Sequence, residues 1–164
     1  MHNKSRLSIA GVFLILLGAY SNALAGPLRP CDALTQQVAS AIYGAPVQAG
    51  AEQDFGIVHN CNFLAPGGHE GFFLAFYDEE NAAAAARAFK IGMAAQQATP
   101  GVTTEPIPGL GESAYYYKTA ADSGNVIIVY HGTLIALGAS GSTNPGFKAA
   151  MLQATKQVLG ELSP

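Results

Sequence analysis

The sequence predicts an α+β domain: an antiparallel sheet of about five strands backed by three helices, in the order α-β-β-α-β-β-β-α. Three observations carry this reading. Apolar residues recur at helical spacing in "ALTQQVASAIYG", "NAAAAARAFKIGMAAQQA" and "FKAAMLQATKQVLGEL". Between them lie short runs rich in Val, Ile, Phe and Tyr, among them "IVHNCNFLA", "FFLAFYD" and "NVIIVYHG". Turn residues such as "PGGHEG" join those runs as hairpins.

The chain opens on a segment outside that domain. Lys4 and Arg6 precede the apolar stretch Leu7 to Leu17, and Ala23-Leu24-Ala25 stands before Gly26. A basic start, an apolar middle and a small-x-small site are the three parts of a signal peptide, so residues 1–25 are read as a cleaved leader and 26–164 as a single domain. As an uncleaved anchor the apolar run is short against the roughly 20 residues a spanning helix needs. Lipid attachment at Cys31 is disfavoured because Leu28-Arg29-Pro30 precedes it where small residues belong.

The elements follow in order. Thr35, or Asp32 one turn earlier, caps a first helix with Val38, Ala41 and Ile42 on one face; Gly44 and Pro46 stop it. "QAGAEQDFG" reads as a polar connector. In the next strand Val58, Asn60 and Asn62 share one face, while Ile57, His59, Cys61 and Phe63 share the other. "FFLAFYD" returns as a hairpin partner. Asp78, Glu79 and Glu80 suit the positive end of the second helix, whose stripe is Ala82, Ala85, Ala86, Phe89 and Met93. "TPGVTTEPIPGLGES" reads as a loop. "AYYYK" and "NVIIVYHG" pair across "TAADSG", and "TLIALGAS" pairs back across His131-Gly132. Asn144 as cap and Pro145 at the first helical position open the last helix, with Phe147, Met151, Ala154, Val158 and Leu162 facing inward. The two helix-plus-strands halves hint at duplication.

Without the leader, six basic residues face 11 acidic ones, a net charge near −5. Such a surface argues against a nucleic-acid partner, which needs clustered Lys and Arg. No later apolar run approaches spanning length, so no membrane span is expected after leader cleavage. Two cysteines in an exported chain are most simply one disulfide, Cys31–Cys61, and the compartment is then periplasmic or extracellular.

The segments "PCDALTQQVASAIYGAPV", "CNF", "PIPGLGESAYYY" and "GTLIALGAS" together resemble a small disulfide-containing domain, of unassigned function, found in exported bacterial lipoproteins. That domain carries a cysteine before a short helix ending in glycine, a second cysteine on the next strand, and a "GLG-x-x-A-Y" turn into a strand. The resemblance spans roughly Pro30 to Leu162 by order of elements, and its motifs are short. It implies an envelope-associated binding or interaction domain and brings no catalytic residues with it. The lipid-attachment motif is missing here.

Chemistry-bearing residues are sparse. His59, Cys61 and His69 form a candidate metal trio, but a disulfide consumes Cys61 and structural zinc wants four ligands. Neither a metal nor a cofactor is expected. "GESAY" and "GASGS" approach a nucleophile elbow, yet Tyr115 and Ser142 stand where its last glycine belongs. A serine hydrolase would use Ser113 or Ser140 with His131 and Asp122. "PGLGES" lacks the preceding strand and lysine of a phosphate loop. Tyr115, Tyr116 and Tyr117 remain: alternation puts Tyr116 opposite the other two, so at least one ring should face away from the helices. Tyr130 and Phe76 complete the candidate binding surface, since aromatic rings suit recognition. The resulting expectation is a non-catalytic exported domain that binds an envelope protein or a small apolar ligand. The alternatives are an inhibitor or immunity protein against an envelope enzyme, and the hydrolase.

Overall fold

The structure, a computed structural model, describes residues 29–163; the leader read at 1–25 lies outside the described residues. The elements are α1 (Pro30–Ala33), α2 (Gln36–Tyr43), β1 (Ala51–Asp54), β2 (Val58–Leu64), β3 (Glu70–Tyr77), α3 (Ala82–Ala98), β4 (Thr103–Pro106), β5 (Ser113–Ala120), β6 (Ser123–Tyr130), β7 (Thr133–Ala139) and α4 (Phe147–Glu161). The class is α+β with an antiparallel sheet, in the order β1-β2-β3-β7-β6-β5-β4. Among the described residues the sheet has seven strands, not about five, and four helices accompany it, not three.

The two extra strands are the sheet's edges. β1 comes from the supposed polar connector and β4 from the supposed loop. Every residue of β1 is exposed, and so are all but one of β4. An edge strand exposed in this way needs no apolar alternation, only a neighbour for its backbone. The extra helix, α1, is one turn with Pro30 in its first turn, and its Cys31 forms a disulfide with Cys61 of β2. Closing a loop of 30 residues contributes about 3–4 kcal/mol at the upper end of expectation. Arg29 reinforces the same junction, its guanidinium Nη2 lying 2.5 Å from Glu52 of β1.

Helices lie on both faces of the sheet, which corrects the expectation of a one-sided backing. On the first face Cys61, Phe63, Phe72, Leu74, Phe76, Val126, Ile128, Ile135 and Leu137 meet Ala33, Ile42, Met151 and Val158 from α1, α2 and α4. On the second, Ala85 and Phe89 of α3 pack on Tyr115 and Val129, with Met93, Tyr117, Ile127 and Leu134 around them. The inner strand β6 therefore alternates between two apolar environments. Its continuous run "VIIV" is the pattern of a strand buried on both sides. β3 and β6 both run antiparallel to β7, so β1-β2-β3 and β4-β5-β6 run in matching directions on either side of it, with α2 and α3 on opposite faces.

Caps explain most helix ends. Thr35 Oγ1 accepts from the Val38 N–H at 3.3 Å, and Gly44 ends α2 at φ 88°, where a side chain would strike Asn144. Asn81, not the preceding acids, caps α3 through the Ala84 N–H at 3.0 Å. The last helix departs from expectation: it starts at Phe147 with Gly146 at the cap position. Asn144 instead accepts from the Gly146 N–H at 2.8 Å and donates to the Ala41 carbonyl at 2.9 Å. The buried Ser142 hydroxyl is within 3.0 Å of the Tyr43 carbonyl and 3.2 Å of the Ile42 carbonyl. These bonds satisfy the open carbonyl end of α2 and fasten the approach to α4 against it.

Candidate functional site

Register places the side chains of each face in rows across the sheet. On the second face one row runs Asn62, Phe73, Gly138, Asn125, Tyr117, with Thr104 beyond it on β4. The neighbouring row runs Asn60, Ala75, Ala136, Ile127, Tyr115. α3 contacts β4 to β7 but covers only part of this face. Phe73, Tyr77, Tyr117 and Asn125 stay half-buried around a floor of buried small residues, Ala75, Ala136 and Gly138.

Gly138 shapes that floor. A Cβ built there would overlap the Phe73 ring and Asn125 Oδ1, so only glycine lets ring and amide close over the strand. Beyond it a cavity of about 160 Å³ opens at the end of the sheet, lined by Phe73, Thr119, Ser123, Asn125, Gly138 and Ser140 among others. The Ser123 hydroxyl lies 3.1 Å from Asp122 Oδ1 and 3.5 Å from Ser140 Oγ, and Ser123 Oγ accepts from the Gly141 N–H at 3.3 Å. One polar atom on this face has no partner among the described residues: the buried Oδ1 of Asn60.

The tyrosine strand divides as alternation requires, but both sides are packed. Tyr115 is 3% exposed and stacks edge-on with Phe89 at 5.0 Å between centroids. Tyr116, on the first face, is 5% exposed under Lys148, whose Nζ sits 4.9 Å over the ring while also pairing with Glu105 at 2.5 Å. Only Tyr117 remains half-open, its ring 5.9 Å from that of Tyr115. Burial pushes the Tyr115 phenol up to about 12, helped by Tyr117, and raises Tyr117, Tyr116 and Tyr77 for the same leading reason. Phe76 is 1% exposed on the first face, so it belongs to the core and offers no surface. Tyr130 is half-buried against that core, and its hydroxyl shares a 2.7 Å hydrogen bond with Ser163 Oγ at the end of α4.

The catalytic and metal alternatives do not assemble. Asp122 and His131 stand at opposite ends of β6, whose eight residues span roughly 26 Å at about 3.3 Å per residue. Ser140 is at the Asp122 end of that strand, while Ser113 is paired with Val129 near the other. Neither serine can therefore join both partners of a triad. His131 sits in the β6–β7 turn, its ring edge-on to Tyr130 at 4.3 Å. Cys61 is held in the disulfide, and His59 reaches Asp78 through Nε2 at 3.0 Å and Asp54 through Nδ1 at 3.5 Å. His69 lies in the exposed β2–β3 turn. Among the described residues no helix is long and apolar enough to cross a membrane.

Two other grooves differ in chemistry from the cavity lined by Gly138. A cavity of about 720 Å³ between β4, β5 and the start of α4 is larger, but its Lys148 is already taken by Glu105 and Tyr116. A groove of about 450 Å³ between α3 and "PIPGLGES" is apolar and shallow, with Pro106, Pro108, Phe89 and Met93 along it. The open half of the second face is the place where aromatic rings, amides and hydroxyls converge. Sequence reasoning missed Phe73, Asn125 and Tyr77 there; the glycine inside "TLIALGA" was the available signal of a close approach. No protein-family model matches the chain, and no curated protein matches it significantly.

Proposed function

We propose that this chain is a non-catalytic binding domain of the bacterial envelope, exported to the periplasm or beyond, with its recognition surface on the open half of the second sheet face. The observation that carries the reading is the set Phe73, Tyr77, Tyr117 and Asn125, left half-buried around a small-residue floor while the first face is closed by three helices. Aromatic rings with polar neighbours, held on strands, are the composition of recognition sites. The leader, the lipoprotein-domain resemblance and a disulfide suited to an oxidising compartment support the location.

Site-specific photocrosslinking in the envelope fraction tests it. A crosslinker at Tyr117 should give a discrete adduct, by mass, that the same group at Gln153 on α4 does not. Equal labelling at both positions, or none at Tyr117, removes the assignment of this face.

A further inference from the structure

We propose that the row Asn62–Phe73–Gly138–Asn125–Tyr117 and the cavity at its edge form a binding strip for a neutral sugar. The inference rests on the assignment of this face as the recognition surface and names its ligand class.

Three features of the strip converge on that chemistry. First, amides and aromatic rings alternate across the strands on either side of Gly138, over which the Phe73 ring and the Asn125 amide close. A sugar ring has apolar C–H faces that lie against aromatic carbon and an equatorial rim of hydroxyls that both donate and accept. Carboxamides do the same from one side chain, so Asn125 can answer a donor and an acceptor together. Second, the cavity is lined by hydroxyl-bearing Thr119, Ser123 and Ser140 together with Asn125 and Phe73, and no charged residue is among its lining residues. A neutral lining selects against anions and cations, because a buried ion without a partner is costly. Third, the size is restrictive. At about 160 Å³ the cavity holds roughly five waters at ~30 Å³ each, well below the volume a drug-sized ligand fills. One hydroxylated ring suits it; an extended apolar ligand does not. The polar lining thus turns the expectation of an apolar ligand toward a polyhydroxylated one.

The strip is longer than the cavity. From Phe73 on β3 to Tyr117 on β5 it crosses three strand spacings, about 14 Å at ~4.8 Å each. A chain of sugar units laid across the strands would put one ring in the cavity and the next over Asn125 and Tyr117. A free monosaccharide would use the cavity alone. The same chemistry serves both sources.

The test uses the mature protein with its disulfide intact, titrated with glucose and N-acetylglucosamine and with a tetrasaccharide of each, followed by amide NMR. Saturable shifts should gather at Phe73, Asn125, Gly138 and Ser140, and Asn125→Ala should weaken them by about tenfold or more, about 1.4 kcal/mol. If Asn125→Ala lowers the melting midpoint, Asn125→Asp keeps the shape and should weaken neutral sugars likewise. A tetrasaccharide bound about tenfold tighter than its monomer identifies a glycan chain; equal affinities identify the free sugar. Shifts elsewhere on the molecule, or none with any of the four sugars, overturn the inference. A discrete Tyr117 crosslink to protein with no sugar shifts would sink the sugar while leaving the face as recognition surface. Loss of both readouts removes both.

Discussion

The two faces of one sheet have been finished differently. The first is sealed by α1, α2 and α4, and its buried strand positions are mostly Phe, Leu, Ile and Val, with Cys61, Ala114, Tyr116 and Ala139 among them. The second is sealed only where α3 lies, and its uncovered part keeps Asn60, Asn62 and Asn125 beside Phe73, Tyr77 and Tyr117. The same strands supply both faces, so backbone pairing cannot account for the difference. What differs is the demand on the side chains. A fully buried face admits few polar groups, because each needs a partner there. A half-open face can hold amides whose remaining bonds go to water or to a ligand. The contrast separates residues that hold the fold from residues free to recognise something.

The largest expected effect tests that separation on a single strand. Phe76 and Phe73 are both on β3, three residues apart, and they point to opposite faces. Phe76→Ala should lower stability by about 3–5 kcal/mol, the cost of truncating a buried aromatic. Phe73→Ala should lower it by only about 1–2 kcal/mol, because its ring is half in water already. Urea midpoints of the two variants decide it. Equal losses would mean that the second face is as much core as the first, and the recognition surface would have to be sought elsewhere.

How much of this was legible in the sequence depends on what each segment needed from its neighbours. The hairpins β2–β3, β5–β6 and β6–β7 were readable because their turns and alternating strands are local signals. β1 and β4 were not, since "AEQD" and "TTEP" carry no apolar pattern and are strands only because β2 and β5 offer open backbone. Helical periodicity shows that α3 and α4 each bury a stripe, but not which side of the sheet receives it. The clue was in β6, where "VIIV" has no polar position to give to solvent. The same blindness misplaced Phe76, whose neighbours on the first face come from helices distant in sequence.

A middle-sized effect concerns the phenols. Tyr115 is held at about 12 by burial beneath α3, and the other phenols of this cluster are raised in the same direction. A raised folded value means that the folded state binds more protons than the unfolded one between the two values. Stability is then fully present below the unfolded value, near 10, and falls as pH rises toward 12. Tyr115→Phe removes the leading titrating group and should flatten that alkaline loss, while leaving the Tyr116 share on the first face in place. Urea unfolding at about pH 8 and about pH 11 measures both slopes. An unchanged slope in Tyr115→Phe would show that the phenol ionises without disturbing its packing, and that α3 covers it loosely.

The smallest expected effect goes to the one amide that looks misplaced. Asn60 sits between Gln53 and Ala75 in the second-face row, and its Oδ1 is buried without a donor among the described residues. Its neighbour Asn62, by contrast, has a made bond, its amide nitrogen donating to Gln53 Oε1 at 2.8 Å. A buried acceptor left unmet costs about 1–3 kcal/mol, so an apolar side chain of similar volume should recover part of it. Asn60→Leu is therefore expected to raise stability by about 1 kcal/mol, while Asn62→Leu, which breaks a made bond, should lower it by a similar amount. On a chain of this size each corresponds to a shift of several degrees in the melting midpoint, within reach of calorimetry. Opposite signs would confirm that only one of the two amides is satisfied by the fold. A loss in both would mean that Asn60 finds a partner in solution, and the open half of the sheet would then extend one strand spacing further toward β1 than its half-buried aromatic rings mark out.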